Sequence, residues 1–158
     1  MKNEKKINKF DIAIIIIIIA IIVIDQVSKI IVHNIYSSTG TDSNSEMTYI
    51  VTNLIIIILI MRFMLSQNQF IDKTLKVFLS FIIAGGISNL IDRIARGYVL
   101  EWIDISKIEW LPMFNIADIF VFIGWILVVG KFTYFTAKEL NGRKNSNRGL
   151  DKDENNRS

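Results

Sequence analysis

The sequence predicts an all-α integral membrane protein with four transmembrane helices and both termini in the cytoplasm. Hydrophobic residues make up 51% of the 158 residues, while the charged residues, 21% of the chain, are concentrated in its ends and loops. Four apolar segments have about the length, roughly twenty residues, that spans the hydrocarbon core of a bilayer. Such segregation is typical of a small polytopic membrane protein.

The four predicted spans lie at residues 12–35, 47–65, 76–91 and 113–135. The first opens with a nearly continuous run of isoleucine, which we predict to be helical because a lipid-exposed segment must satisfy its own backbone hydrogen bonds. Pro112, the single proline, precedes the fourth span, where it is compatible with a helix start. We expect residues 1–138 to form one transmembrane domain. Residues 139–158 are charged and should form a disordered cytoplasmic tail.

The lysine and arginine residues beside the spans predict their orientation. They cluster before the first span, between the second and third, and after the fourth, at Lys2, Lys5, Lys6, Lys9, Arg62, Lys73, Lys76, Lys131, Lys138, Arg143 and Lys144. The positive-inside rule places these segments in the cytoplasm, although Arg93, Arg96 and Lys107 lie on the opposite side. The first span lacks a small-residue cleavage site and should be retained.

The composition excludes several kinds of site. Cysteine is absent, which excludes disulfides, thiolate metal sites and a cysteine nucleophile. A single histidine, His33, argues against a histidine-ligated metal centre and a Ser-His-Asp triad. We therefore expect no metal and no cofactor. The basic residues flank apolar helices rather than stacking aromatic residues, so we expect no nucleic-acid partner.

Four polar clusters, residues 25–29, 89–93, 101–104 and 115–118, fall at the predicted extracytoplasmic ends of the spans. An intramembrane charge is costly unless it is paired or hydrated, so such a residue is a functional candidate. Because all four clusters lie at one membrane face, we predict that they form one site.

Spacing groups the polar residues of the first and third spans. Asp25 and Lys29 are four residues apart, share a helix face and can form an ion pair, although Lys29 alone is also typical of an interfacial anchor. Asn89, Asp92 and Arg93 share a face in the same way and should supply a buried amide and an ion pair. A purely structural network is the alternative for this second group.

The remaining acidic candidates flank the fourth span. Asp118 lies one turn into the predicted helix, and Asn115, three residues earlier, shares its face. Asn115 alone would be typical of a helix cap or an interhelical hydrogen bond. Glu101 lies in a loop with Trp102 and Trp110, whose indoles suit the membrane interface, and by itself it would be typical of a solvated charge.

Two carboxyl groups in a low-dielectric pocket share a proton, because both cannot ionise cheaply. One can activate water while the other donates a proton to the scissile group. This chemistry needs neither metal nor histidine. A Ser28–Lys29 nucleophile pair is disfavoured, since adjacent residues point to different helix faces.

The order and spacing of the polar clusters carry a family resemblance. The motifs are Asp25-Gln26-Val27-Ser28-Lys29, Gly85-Gly86, Asn89-Leu90-Ile91-Asp92-Arg93, Gly97-Tyr98-Val99-Leu100-Glu101-Trp102-Ile103 and Phe114-Asn115-Ile116-Ala117-Asp118. Together they resemble signal peptidase II, the lipoprotein signal peptidase, an aspartic protease within the membrane. Each motif alone is weak, but their arrangement over most of the chain is specific.

This resemblance implies cleavage of prolipoproteins immediately before a cysteine that already carries diacylglycerol, at the outer face of the bacterial cytoplasmic membrane. The implied partners are lipid-modified prolipoproteins and membrane lipid. The family's catalytic aspartates fall at Asp118 and Glu101. Substrate-binding and positioning roles fall on Asp25, Lys29, Asn89, Asp92, Arg93 and Asn115.

The chain departs from the family pattern at two places. The family carries aspartate where this chain has Glu101, and the added methylene matters because a misplacement of about 1 Å can cost on the order of a hundredfold in rate. Asp104 could replace Glu101 as the second acid, but it does not align with the position at which the family carries its aspartate. The family's Asn-x-Gly-Ala-Ala-Phe motif, between the first two spans, is absent from residues 36–48.

These departures leave two alternatives open. One is a catalytically silent paralogue that binds lipoprotein precursors or a membrane partner, which Glu101 and the missing motif favour. The other is a small transporter or proton-relay protein that uses Asp25, Asp92 and Asp118. Against the latter, the ionisable groups gather at one membrane face instead of lining a path across the bilayer.

Overall fold

The computed structural model describes residues 8–36, 46–66, 71–105 and 113–155. Within them it contains four helices: α1 (Lys9–Tyr36), α2 (Glu46–Leu65), α3 (Lys73–Arg96) and α4 (Ile116–Asn155). All four are long and apolar enough to cross a membrane, which confirms the predicted all-α class. We call the end of the bundle where α3 ends and α4 begins the outer end, and the end where α3 begins the inner end.

Helix α3 is the central helix. It packs against α4, α1 and α2. Helix α1 also touches α4, whereas α2 contacts only α3 among the described helices. In the most apolar stretch of α3, half of the residues are buried. In the corresponding stretch of α2, only 6% are buried. Side chains on α3 can therefore meet partners from three sides.

Small residues let α3 approach its neighbours closely. A Cβ added to Gly85 would overlap the carbonyl oxygen of Ala117 and lie 2.6 Å from a methyl carbon of Val121 in α4. At Gly86 it would lie 3.3 Å from Asn53 and Ile57 of α2. A side chain at Gly85 would therefore force α3 and α4 apart, and one at Gly86 would require its α2 neighbours to shift slightly.

The ends of α3 extend beyond the predicted span. Asp72 caps its start by accepting a hydrogen bond from the Leu75 amide at 2.9 Å. Gly97 ends it in the left-handed conformation, with φ 82°, and donates its N–H to the Arg93 carbonyl oxygen, a common way to close a helix. The cluster 89–93 therefore lies inside the last turns of α3, not at its end.

Helix α4 begins three residues later than predicted and continues to Asn155. The structure thus differs from the prediction of a disordered tail from residue 139. Residues 139–144 are all exposed, so the helical backbone there is supported by local hydrogen bonds and not by packing. Pro112 and Trp110 lie outside the described residues, as do residues 37–45 of the shortened segment.

Candidate active site

A buried ion-pair cluster joins α1 to α3 at the outer end. The Lys29 Nζ lies 2.6 Å from Asp25 Oδ2 and 2.7 Å from Asp92 Oδ2, and all three side chains are fully buried. The predicted Asp25–Lys29 pair is confirmed. Asp92, which the sequence grouped with Arg93, instead pairs with Lys29 and Arg96, because α1 packs against its side of α3.

Further hydrogen bonds satisfy the buried carboxylate of Asp25. The Ser88 hydroxyl donates to Asp25 Oδ2 at 2.7 Å, and the Ala117 backbone N–H donates to Asp25 Oδ1 at 2.8 Å. The latter amide lies in the first turn of α4, where backbone N–H groups lack helical partners. Asp25 therefore fixes α1, α3 and the start of α4 relative to one another.

Sequence reasoning gave no role to Gln26 or Ser88, although both stand beside residues that it selected. The Gln26 amide donates to Asp92 Oδ1 at 2.9 Å and to the hydroxyl of Ser88 at 3.0 Å. The signal that could have found them is adjacency: Gln26 follows Asp25, and Ser88 precedes Asn89. Both residues complete the hydrogen bonding of buried charges, which would otherwise be costly.

Asn89 connects this cluster to Asp118. Its Oδ1 accepts hydrogen bonds from Lys29 Nζ at 3.1 Å and from Asn115 Nδ2 at 3.0 Å. Its Nδ2 donates to Asp118 Oδ1 at 2.7 Å. Since Lys29 can only donate, the amide of Asn89 must turn its oxygen toward Lys29 and its N–H toward Asp118.

Asp118 and Asn115 form a reciprocal cap at the start of α4. The backbone N–H of Asn115 donates to Asp118 Oδ2 at 3.1 Å, and the backbone N–H of Asp118 donates to Asn115 Oδ1 at 2.9 Å. A carboxylate in the first turn is also favoured by the helix dipole. Both oxygens of Asp118 thus accept hydrogen bonds in a fixed geometry.

The segment that carries Glu101 is anchored on both sides. Before it, the Leu100 N–H donates to Asp92 Oδ2 at 3.2 Å and the Leu100 carbonyl accepts from Asn115 Nδ2 at 3.3 Å. After it, Ile103 and Phe114 exchange backbone hydrogen bonds of 2.8 and 3.2 Å. Asn115 therefore contacts both the segment that carries Glu101 and Asp118.

The carboxyl group of Glu101 is partly buried and interacts electrostatically with Asp118. Burial raises its pKa, the negative charge of Asp118 raises it further, and the charges of Arg93 and Lys29 lower it. The negative charge of Asp118 therefore acts on the Glu101 carboxyl group. Asp104, the substitute acid considered from the sequence, is exposed beyond the Ile103–Phe114 bridge.

Arg93 lies at the edge of this arrangement. Its side chain is partly exposed, and Nη1 donates to the Asn89 carbonyl oxygen at 3.4 Å. The structure therefore brings the eight residues selected from the sequence to one region: Asp25, Lys29, Asn89, Asp92, Arg93, Glu101, Asn115 and Asp118.

Comparisons with known proteins show the family to which the chain is similar. A family model described as signal peptidase (SPase) II matches residues 35–134. The lipoprotein signal peptidase of Buchnera aphidicola subsp. Schizaphis graminum is 37% identical over 108 residues, which cover 65% of this chain and 69% of that protein. That of Clostridioides difficile is 30% identical over 146 residues, which cover 78% and 97%.

A solved structure supports the fold independently. It is a bacterial membrane enzyme determined by the in meso method at 2.3 Å resolution, with a TM-score of 0.69 and 24% identity. The match covers 80% of this chain and 90% of that chain. At this level of identity, the likeness shows a shared arrangement of helices.

Proposed function

We propose that this chain, which belongs to the signal peptidase (SPase) II family, cleaves the signal peptide of lipid-modified prolipoproteins immediately before the diacylglyceryl cysteine. The relatives named lipoprotein signal peptidase support cleavage over a silent paralogue. The observation that carries the proposal is the acid pair. The negative charge of Asp118 acts on Glu101, and Asp118 accepts a hydrogen bond from Asn89, which is itself bonded to the buried Lys29.

The two acids differ in a way that suits a division of roles. Both oxygens of Asp118 accept hydrogen bonds from Asn89 and Asn115, as those of a carboxylate do, so Asp118 is assigned the general base. Burial and the charge of Asp118 raise the pKa of Glu101, so Glu101 keeps its proton to higher pH and is assigned the general acid.

The proposed step follows from these roles. A water oxygen attacks the scissile carbonyl carbon while Asp118 takes a proton from that water. As the carbon–nitrogen bond breaks, the proton of Glu101 passes to the leaving amine. The following turnover requires the proton to move from Asp118 back to Glu101, which two interacting carboxyl groups can accomplish.

The surrounding network positions the acids and the substrate backbone. Lys29 fixes the orientation of Asn89, and Asn89 in turn fixes that of Asp118. Arg93 offers guanidinium N–H groups to peptide carbonyls of the precursor. Basic residues beside the inner end support placing the acids at the extracytoplasmic face of the bacterial cytoplasmic membrane, where the diacylglyceryl group of the precursor remains among membrane lipids.

A cleavage assay on Glu101 variants tests the proposal. With a diacylglyceryl-cysteine precursor in membranes, Glu101→Gln should abolish cleavage, because the amide has no titratable proton. Glu101→Asp should retain or raise activity, since it restores the family's shorter side chain. Asp118→Asn is the matched control and should be inactive.

Two results would contradict the proposal. Equal turnover by wild type and Glu101→Gln would exclude Glu101 as an essential acid. If the wild-type protein fails to cleave several lipid-modified precursors, the silent-paralogue alternative is favoured instead.

A further inference from the structure

Tyr49 brings α2 into contact with the outer end of the site. The Cζ of Arg93 lies 5.7 Å from the centroid of the Tyr49 ring, inside the roughly 6 Å range of cation–π attraction. The ring belongs to the start of α2, and the guanidinium to the last turn of α3. Helix α2 contacts only α3 among the described helices. The Tyr49–Arg93 pair is thus a contact through which α2 can act on the site.

Arg93 has few other restraints. Among the described residues, no carboxylate oxygen lies within 4 Å of its guanidinium nitrogens. Its hydrogen bond to the Asn89 carbonyl oxygen is long, at 3.4 Å. A guanidinium carries five N–H donors, and within the part of the chain that the structure describes most of those of Arg93 meet no acceptor. The aromatic face is therefore a main restraint on where those donors point.

The position of Arg93 matters to the acid pair. The charged groups that act on Glu101 come from three helices: Asp118 of α4, Lys29 of α1 and Arg93 of α3. Arg93 lowers the pKa of Glu101, against the effects of burial and of Asp118. If the guanidinium moved away, the pKa of Glu101 would rise further.

We infer that Tyr49 is a positioning residue whose ring holds the Arg93 guanidinium beside Glu101, with its free N–H groups directed at carbonyl oxygens of the bound precursor. The inference rests on the proposed function, since it requires precursor cleavage by the acid pair. An interfacial tyrosine that only anchored α2 in the membrane would be typical of an aromatic belt. Its effect would not depend on Arg93.

An aromatic series at position 49 tests this role by measuring kcat, KM and the pH profile of precursor cleavage. Tyr49→Leu should lower kcat/KM by about two- to fivefold, the value of one cation–π contact. Tyr49→Trp and Tyr49→Phe keep a ring and should retain most of the activity. Tyr134→Leu makes the same change at an exposed tyrosine 85 positions further along the chain, in α4, and should leave kcat/KM unchanged.

The pH profile and a double-mutant cycle give readouts that loss of an anchor would not produce. A general acid works below its pKa, so the upper limb of the Tyr49→Leu profile should move to higher pH. In an Arg93→Gln background, Tyr49→Leu should cause no further loss.

The outcomes separate the inference from the function on which it rests. If wild type cleaves but Tyr49→Leu matches it in kcat/KM and pH profile, or loses activity equally in the Arg93→Gln background, the inference is overturned and the proposed function stands. If wild type does not cleave, both fall. If Tyr49→Leu fails to accumulate, the Tyr49→Trp and Tyr49→Phe variants test the inference instead. Both should retain activity, and the upper limb of their pH profiles should not shift. Loss of activity in both would overturn the inference.

Discussion

Both ends of the bundle carry a lysine–aspartate ion pair, but the two pairs lie in opposite environments. At the inner end, Lys131 of α4 pairs with Asp72, and their side chains are 27% and 54% exposed. At the outer end, Lys29, Asp25 and Asp92 are fully buried. Exposed pairs contribute little because water and salt screen them. A buried pair persists only where further hydrogen bonds satisfy each group, as Ser88, Asn89 and the Leu100 amide do here.

Neutralising the lysine of each pair should separate the two ends most clearly. Lys29→Met leaves Asp25 and Asp92 buried and facing each other, so we expect a loss of about 3–5 kcal/mol in the free energy of unfolding. Lys131→Met should cost less than about 1 kcal/mol. Unfolding in detergent micelles, followed by circular dichroism, measures both. Equal losses in the two variants would contradict the contrast between the ends.

Two glycines of the bundle offer a second, smaller contrast. Gly85→Ala would drive a methyl group into the Ala117 backbone, so we expect a destabilisation of about 1–3 kcal/mol and a loss of cleavage as α4 is displaced. At Gly130, an added Cβ meets nothing within 4 Å. Gly130→Ala should therefore be neutral or stabilise by up to about 1 kcal/mol. A Gly85→Ala variant as stable and active as Gly130→Ala would show that α3 and α4 can separate freely.

Acidification should weaken the inner pair by a small amount. Hydrogen bonds from Lys131 and from the Leu75 amide lower the pKa of Asp72 below its ordinary value of 3.8. Its contribution to stability is therefore complete above that value and is lost as the pH falls through the lowered folded-state pKa. Between pH 7 and pH 3, the thermal midpoint of the wild type should fall slightly more than that of Asp72→Asn. Identical pH dependence in the two proteins would mean that the hydrogen bonds to Asp72 do not stabilise the folded state.

The sequence predicts those features of the fold and site that depend on neighbours along one helix. Apolar length predicts the four spans, and three- or four-residue spacing predicts the Asp25–Lys29 pair and the grouping of Asn115 with Asp118. Contacts between helices could not be derived in this way. The pairing of Asp92 with Lys29 requires α1 to pack on a particular side of α3.

The orientation of the Asn89 amide and the anchoring of Leu100 depend on partners that are distant in sequence. Asn89 is set by Lys29, sixty residues earlier, and by Asn115, twenty-six residues later. Leu100 carries no polar side chain, and its role lies in its backbone N–H and carbonyl groups. No side-chain pattern reveals such a role, so it becomes visible only when the helices are assembled.

The backbone bridge between Ile103 and Phe114 has an evolutionary consequence. Because these residues pair directly, the stretch between them begins and ends at adjacent points in space. Insertions or deletions in that stretch would change its closure entropy only slowly with length. They would leave Glu101 and Asp118 where they are. The number of residues between Ile103 and Phe114 can thus change in evolution without moving either acid.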